Sequence, residues 1–589
     1  MQNDSYWERL RGRQISRRRL LNASARASVG AAGLALVGCG DDDDDAPAVV
    51  QQAEEQAEQQ QAEQQEQQAE QQAVAVDQAE EQVAAVEEAE EQAEQQAEAV
   101  AVGNVPTGEI RWANVGNFSG LEGVTGTGGN DHQILWPVHD NLVAYDQELS
   151  PSEDRSLSSW EIPEPLTVIF NLRQGVTYHD GTALTAESVR LHVERGQTLE
   201  GSNVKADLGS IATVGEPDEK TAVFNMSEPF SPLLRILGDR AGMLTSPAAF
   251  DRLNEPNARD HPVGTGAFEY VEESLDGAYV MEANKNYWLP GAPSVERLVA
   301  TQGVNETQQA NALIAGQFDI IFQTDPADLP RLRDAGFEIR TRPTNAVGLI
   351  YLNPLKEPWT NAHLRRAVNY GFDRSLLNDV VYEGENIPGI HGWLGPATGV
   401  YYDPNGDWGS DIDADRVREE LALAGSPDGF EFDMNIVNTP IGIAQAEFIQ
   451  ASLSEFGIVM NLVTRPSPDY YLEYFEQEVA AFIAGMSVRA DIWQQIAFVS
   501  KDNGPYDFAM PEDGDPDQEA AFTKVAETFD DAERVAAVQE LARVNEALAW
   551  SIKLTYATAR AAADPNLRNE LFGDGKPHFG LNDVGWLNT

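Results

Sequence analysis

Cysteine is almost absent from this sequence, since Cys39 is the single cysteine among 589 residues. A disulfide within the chain is therefore impossible, and so are zinc or iron–sulfur sites that need several thiolates. Histidine is also scarce, with eight residues in all. His132 and His139 flank the apolar segment 134–136, and we expect both on a partly exposed surface rather than as a ligand-contacting pair. The sequence predicts no metal site and no cofactor.

Basic residues are few compared with acidic ones. The chain has 40 Lys and Arg against 96 Asp and Glu, a formal net charge of −56 at pH 7. Nucleic-acid phosphates and anionic membrane surfaces repel such a chain, which excludes nucleic acid as a partner. Ordinary solubility combined with an acidic tail explains the imbalance most simply, and adaptation to a saline habitat is the alternative.

Motifs of the common enzyme classes are missing. The chain contains no H-E-x-x-H, no G-x-S-x-G and no Walker loop. The pair Gly264 and Gly266 lacks the spacing and the following helix of a dinucleotide site. We therefore predict no catalytic residue and a protein that is not an enzyme.

The N-terminal residues have the pattern of an export signal. Residues 16–21 read SRRRLL, which resembles a twin-arginine signal, and a short apolar stretch follows. The stretch ends at 36–39 in LVGC, which looks like a lipobox, so Cys39 is predicted to be lipidated. Each buried acyl methylene contributes about 0.8 kcal/mol, and several chains on one cysteine anchor a protein stably. We predict an extracytoplasmic protein held at the membrane by lipid alone.

Residues 40–102 form an acidic segment of low complexity. After the Asp run 41–45, the stretch 51–99 is nearly all Gln, Ala and Glu and lacks Gly, Pro, Lys and Arg. These residues favour helix, but no heptad pattern or basic partner supports a coiled coil. The segment is predicted to be a tether, either a single helix of roughly 75 Å at about 1.5 Å per residue or a disordered linker.

The body from Gly103 onward alternates strand and helix patterns. Residues 166–172 alternate apolar and polar side chains, as in a strand with one buried face. Thr185, Asn361 and Asp413 each stand where they can cap a following amphipathic helix. This alternation predicts an α/β fold.

A series of motifs follows between Trp160 and Arg374. The segments are FNLRQGVTYHDGTALTAESV at 170–189, PVGTGAF at 262–268, NKNYW at 284–288, ALIAGQFD at 312–319 and LRRAVNYGFDR at 364–374. In this order they resemble the family 5 extracellular solute-binding proteins, the ABC-importer receptors for oligopeptides, dipeptides, nickel complexes and some sugars. The departures from the family pattern, Ala267, Ala283 and Lys285, fall in predicted scaffold turns.

The resemblance implies an α/β, bilobal, periplasmic-binding-protein-like fold of type II, in which two hinged lobes close like a flytrap. An extra domain is inserted in the first lobe. ABC permease subunits are the implied partners, and we expect a monomer. The predicted domains are the signal 1–39, the tether 40–102, lobe I (103–142, 261–345 and 546–589), the inserted domain 143–260 and lobe II (346–545).

The resemblance also suggests where the solute binds. In oligopeptide-binding members an Asp in a sequence like W-x-A-D pairs with the ligand ammonium. FIAGMSVRADIW at 482–493 occupies that place, and Asp491 matches the Asp although the Trp is missing. Asp491 is either this anchor or only the cap of the next helix, and the aromatic candidates suit a core equally well. The predicted ligand-contacting residues are Asp491, Trp493, Arg489, Trp393, Tyr401 and Tyr402.

An oligopeptide is the predicted solute, and two alternatives stay open. The same fold could bind a metal chelate, an oligosaccharide or an opine, and the eleven Trp residues keep sugars open. The chain could also be a surface adhesin or sensor lipoprotein that has lost transport.

Overall fold

The computed structural model describes residues 106–568 and 585–586, apart from 115–116, 127, 146–149, 256–259, 323, 407, 410, 467–477, 490, 502–510 and 512–513. These residues belong to one unit that spans Gly103–Thr589. The predicted signal, the lipidation site Cys39 and the tether lie outside the described residues.

One 11-stranded sheet runs through this unit. Its strands, in spatial order, are β15 (Val459–Arg465), β14 (Glu431–Val437), β16 (Ala481–Met486), β12 (Glu338–Leu352), β17 (Ser551–Ala563), β11 (Ile320–Phe322), β1 (Glu109–Ala113), β10 (Arg297–Thr301), β9 (Ala278–Ala283) and β8 (Phe268–Glu273). The short β13 (Ile387–Pro388) pairs with β17 off this path.

The strands from β11 to β8 belong to the first lobe. β1 lies parallel to its neighbours β10 and β11, and β8 and β9 add an antiparallel hairpin. Because alternate residues of a strand point to one face, Ile110 and Trp112 enter the same core as Ile134 of α1 (His132–Val138). On the other face, Ala113 packs in a smaller cluster against α5 (Glu306–Ile314) and α6 (Leu329–Asp334).

The inserted segment builds a separate four-stranded antiparallel sheet. In spatial order its strands are β4 (Ser158–Glu164), β5 (Thr167–Leu172), β7 (Thr221–Met226) and β6 (Ile211–Asp218). Val168 and Phe170 of β5 are buried, which confirms the predicted strand with one buried face. The predicted cap is also confirmed, since the Thr185 hydroxyl accepts from Ser188 N at 3.2 Å at the start of α2 (Ala186–Thr198).

The second lobe is built around the three strands β14, β15 and β16, and β14 pairs in parallel with β15 and with β16. Among the described residues, its helices are α7 (Ala362–Tyr370), α8 (Arg374–Val381), α9 (Ala414–Leu423), α10 (Pro440–Ser454), α11 (Ile492–Ser500), α12 (Pro516–Glu527) and α13 (Asp531–Leu548). The side chains of Asn361 and Asp413 accept hydrogen bonds from the first backbone N–H groups of α7 and α9, as predicted. Helices that connect parallel strands confirm the α/β class.

Two long strands, β12 and β17, belong to both lobes. The first part of β12, Glu338–Pro343, pairs with β17 beside β11, and the second part pairs with both β17 and β16. The register shifts between Pro343 and Val347, where the Thr344 hydroxyl donates to Ala557 O at 2.8 Å. The predicted domain limit at 345 lies inside β12, and the limit at 546 lies inside α13, so the domain bounds stay a prediction.

Short elements complete the description. They are β2 (Ala144–Tyr145), β3 (Pro151–Ser152), α3 (Leu233–Ile236), α4 (Phe250–Leu253), β18 (Leu567–Arg568) and β19 (Gly585–Trp586). Among the residues that the structure describes, no helix combines the length and the apolar character needed to cross a bilayer.

Candidate functional site

The inserted domain and the second lobe contact each other directly. Ser231, just before α3, donates from its backbone N to Ala526 O of α12 at 2.8 Å. Gln494 Nε2 on α11 donates to Asp207 Oδ1 at 2.7 Å. These hydrogen bonds join the inserted domain to α12 and α11 of the second lobe, so they exist only when the two meet.

A cavity of about 340 Å³ lies along this contact. The aromatic side chains in its wall are Phe230, Trp493, Phe498 and Phe522. The rings of Phe230 and Trp493, one from each side of the contact, meet edge-to-face with their centroids 5.1 Å apart. Trp493 Nε1 is satisfied by Phe522 O at 3.0 Å, which holds the indole in place as part of the wall.

Charged side chains also line this cavity: Asp207, Glu228, Glu527 and Lys501. The charge of Lys501 is compensated within the chain, because its Nζ lies 2.5 Å from Glu519 Oε2 and 5.4 Å from the centroid of the Phe522 ring. Burial raises the pKa of Asp207 to about 6, although the hydrogen bond from Gln494 opposes this shift. The described lining therefore carries more negative than positive charge.

Asp491 lies at the same contact and is 2 % exposed. Its Oδ1 accepts from Trp493 N at 2.7 Å and so caps α11. Its Oδ2 accepts from Arg534 Nη2 at 2.7 Å, and Arg235 Nε lies 3.6 Å from the same oxygen. The carboxylate thus has two guanidinium partners within the chain, and its role as a ligand anchor stays a prediction.

Arg534 on α13 organises this buried cluster. Besides Asp491, it donates from Nε to the Tyr401 hydroxyl at 3.1 Å and from Nη1 to Val525 O at 3.1 Å and to Ser231 Oγ. Burial disfavours the charge, but the carboxylate of Asp491 and the Tyr401 hydroxyl outweigh it, and the pKa of Arg534 is raised. The guanidinium therefore stays charged and connects the two lobes.

The other predicted ligand-contacting residues are spread around this contact. Arg489 stacks over the Phe498 ring at 3.6 Å, and the Tyr402 hydroxyl lies 3.3 Å from His391 Nε2. Trp393 is buried in the second lobe, with Lys553 Nζ 4.9 Å from its ring centroid. The structure brings Asp491, Trp493 and Tyr401 together. Of the six predicted residues, Trp493 is among the described residues that line the cavity, and the others are not: Asp491, Arg489, Trp393, Tyr401 and Tyr402.

The sequence analysis did not single out Asp207, Phe230, Gln494 and Arg534. One signal was present, because Gln494, Ala497 and Phe498 lie at helical spacing on one face of α11, and Lys501 follows directly after the helix. No comparable pattern exists for Asp207, which lies in a turn of the inserted domain. Only tertiary packing places it against that face.

The expectation for the two histidines was wrong. His132 is buried on α1, and its Nε2 lies 2.5 Å from Asp239 Oδ1. His139 is also buried, and burial lowers its pKa to about 4. The apolar segment between them is itself core, so both rings follow it inward. Within the described part of the chain, no group of three or more His, Cys, Asp or Glu is placed to hold a metal ion.

The comparison with protein families decides the assignment. The model of the bacterial extracellular solute-binding proteins, family 5, matches residues 155–503. The chain belongs to this family. The family 5 match covers most of the inserted domain and most of the second lobe, including both Asp207 and Asp491. It establishes an extracytoplasmic solute-binding protein of the ABC-transporter type.

Curated relatives of this family 5 protein bind different solutes. It is 28 % identical over 379 residues to heme-binding protein A of Haemophilus influenzae, an alignment that covers 59 % of this chain and 69 % of the relative. It is 24 % identical over 351 residues to the glutathione-binding protein GsiB of Escherichia coli K12, an alignment that covers 58 % of this chain and 66 % of GsiB. The alignments thus span about two thirds of each relative's length.

Solved structures show the same fold. AgaA of A. tumefaciens R10 in complex with agropinic acid superposes with a TM-score of 0.70 at 21 % identity, over 81 % of this chain and 99 % of AgaA. DppA of Helicobacter pylori in complex with the peptide STSA superposes with a TM-score of 0.69 at 21 % identity, over 82 % of this chain and 99 % of DppA. The predicted bilobal type II fold is confirmed.

Proposed function

We propose that this family 5 protein is a lipid-anchored receptor that captures an oligopeptide between its lobes and delivers it to an ABC permease. The cavity of about 340 Å³ at the contact between the inserted domain and the second lobe carries this proposal. Its volume lies within the roughly 300–1,000 Å³ of ligand pockets, and its lining combines aromatic walls with a few polar groups.

The shared strands supply the hinge in this proposal. β12 and β17 continue from one lobe into the other, and the register of their pairing shifts between Pro343 and Val347. A rotation there separates Ser231 from α12 and Asp207 from α11, which opens the cavity to solute. Closure excludes water and strengthens polar contacts to the solute, and it creates the joint surface that a permease recognises.

Peptide capture fits the lining better than uptake of a neutral sugar. Phe230, Trp493, Phe498 and Phe522 suit apolar side chains, and the carboxylates of the lining suit the ammonium group that each free peptide carries. A metal chelate, an opine or an oligosaccharide remains the alternative within the same fold. A surface adhesin or sensor is the alternative outside transport.

The remaining parts of the proposal follow from the sequence. Lipidation at Cys39 and the tether 40–102 keep the receptor at the outer face of the membrane, and the chain acts as a monomer without catalytic activity. Replacing Cys39 with Ala should release the protein from the membrane fraction. Continued membrane retention of Cys39→Ala, or the absence of incorporated labelled palmitate in the parent, contradicts the anchor.

Native mass spectrometry of the purified chain tests the solute class. A co-purified mass that fragments as a peptide supports peptide capture, and tripeptide titration followed by Trp fluorescence then gives the affinity. A co-purified chelate, opine or sugar, with no response to peptides, overturns the peptide proposal. Small-angle scattering checks the closure, because solute binding should reduce the radius of gyration.

A further inference from the structure

Asp207 differs from Asp491 at the lobe contact because a cavity borders Asp207. Its Oδ1 accepts from Gln494 Nε2 at 2.7 Å, and the residue lines the cavity together with Glu228 and Glu527. Burial is the main influence on its pKa, while Arg489 lowers and Asp239 raises that pKa through their charges. The carboxylate is thus partly desolvated at the edge of an open volume.

Gln494 adds an independent observation to the same wall. It is 8 % exposed, and while its Nε2 is committed to Asp207, its Oε1 is buried without a hydrogen-bond partner among the described residues. A buried acceptor without a donor destabilises the fold, because it has lost its hydrogen bonds to water and gained none in the protein. The Asp207 carboxylate and Gln494 Oε1 can therefore accept hydrogen bonds from N–H groups of a solute.

We propose that this cavity takes the cationic nitrogen of the solute, an ammonium or guanidinium group on an apolar stem, and that Asp207 recognises its charge. The assignment rests on the proposed capture of a solute between the lobes. Gln494 positions the carboxylate through their hydrogen bond. Trp493 and Phe498 face the same volume, where aromatic rings attract a cation and pack against its stem.

Asp491 does not compete for this role. Arg534 Nη2 at 2.7 Å and Arg235 Nε at 3.6 Å already neutralise its carboxylate, and a third cation there would face two guanidinium groups. At the Asp207 subsite the cation of the described lining is Lys501, which is paired with Glu519, and Arg489 acts on Asp207 through its charge without lining the cavity. A cationic solute therefore meets attraction at Asp207 and repulsion at Asp491.

The subsite also links recognition to closure. Asp207 belongs to the inserted domain and Gln494 to α11 of the second lobe, so their hydrogen bond forms only when the lobes meet. A cation held between the two elements adds contacts that exist in the closed form alone. Its binding energy therefore shifts the equilibrium towards closure.

Two sources can supply the same cationic nitrogen: the free N-terminus of a peptide, or a Lys or Arg side chain. Three equimolar tripeptide mixtures distinguish them. The first is free and lacks Lys and Arg, the second is its N-acetylated counterpart, and the third is N-acetylated with Lys or Arg at one position. Affinities are measured by calorimetry on the full chain, for the parent and for Asp207→Asn.

The parent should bind the first or the third mixture at least about tenfold more tightly than the second, because charge-assisted hydrogen bonds contribute about 1.5–3 kcal/mol. Asp207→Asn should lose that difference and bind cationic probes roughly ten- to a hundredfold more weakly. The matched control is Asp218→Asn, an exposed carboxylate of the same domain that accepts from Lys220 N at 2.8 Å. It should behave as the parent does.

The outcomes separate this inference from the proposed function. If the parent binds none of the mixtures, peptide capture fails and the subsite fails with it. If the parent binds all three equally, or if Asp207→Asn keeps the preference, peptide capture stands and the cation subsite is overturned. Thermal unfolding of Asp207→Asn within a few degrees of the parent verifies that a loss of affinity comes from the site.

Discussion

Asp491 and Asp207 are two carboxylates at one lobe contact, and their surroundings are opposite. Asp491 is enclosed by Arg534, Arg235 and the start of α11, so each of its oxygens has a partner within the chain. Among the described residues, the side chain of Asp207 has one hydrogen-bond partner, Gln494, and it borders a cavity. A buried charge that the chain itself neutralises serves the fold, whereas one that borders an open volume is available to a ligand.

The largest effect is expected from removing the guanidinium that encloses Asp491. Arg534→Met keeps much of the side-chain volume but leaves a buried carboxylate poorly paired, which should lower the free energy of unfolding by about 3–5 kcal/mol. Urea denaturation measures the loss. Arg543→Met is the control on the same helix, because Arg543 pairs at the surface with Glu540 at 3.2 Å and should cost less than about 0.5 kcal/mol. If both changes lower the free energy of unfolding equally, the Asp491 cluster does not have the stabilising role proposed here.

Asp491→Asn is a direct test of which carboxylate meets the ligand. The amide still caps α11, but the charged hydrogen bond from Arg534 is lost, and stability should fall by about 2–3 kcal/mol. The affinity ratio between free and N-acetylated tripeptides should not change, since that ratio depends on Asp207. A collapse of the ratio in Asp491→Asn, measured by calorimetry, would instead restore Asp491 as the amine anchor.

Acidification should weaken cation binding through Asp207. Its pKa of about 6 means that the carboxylate is charged above this pH and neutral below it. Affinity for a cationic probe should therefore fall about tenfold for each pH unit once the pH is well below 6, and Asp207→Asn should remove this dependence. Arg489, Asp239, Glu228, Glu527 and Lys501 are the charged groups around Asp207, and they shift the midpoint. A pH-independent affinity in the parent would contradict the assignment.

Asp140 provides an internal reference for that experiment. Burial raises its pKa to about 6 as well, against hydrogen bonds from Trp288, Tyr287 and Thr265, but it lies in the first lobe away from α11. Because its pKa in the folded chain is raised, its contribution to stability is present at low pH and is lost as the pH rises through 6. This dependence of stability should persist in Asp207→Asn while the dependence of affinity disappears.

The smallest effect is expected at Lys501. Its ammonium is paired with Glu519, so Lys501→Met removes a charge that is already compensated and makes the lining more acidic. Cationic probes should bind up to about threefold more tightly, in line with the 0.2–1 kcal/mol of exposed pairs. Calorimetry at two salt concentrations measures the change, which should shrink at high salt. Weaker binding in Lys501→Met would mean that the solute contacts this ammonium and that the cavity binds an anionic group.

The sequence was most informative where the interactions are local. The strand β5 and the caps Thr185, Asn361 and Asp413 depend on residues within a few positions, so periodicity and capping chemistry predicted them correctly. The motifs between Trp160 and Arg374 predicted the family through the same local segments. The expectation for His132 and His139, at the two ends of α1, was wrong because their burial depends on how this short apolar helix packs and not on its own pattern.

The sequence by itself determined the α/β class and the family. Only the tertiary structure decided that Arg534, 43 residues away, would enclose Asp491, and that Asp207, 287 residues from Gln494, would border the cavity. Hydrogen bonds between distant segments depend on how the lobes meet. That geometry follows from the sum of many packing contacts, and no short stretch of sequence contains it.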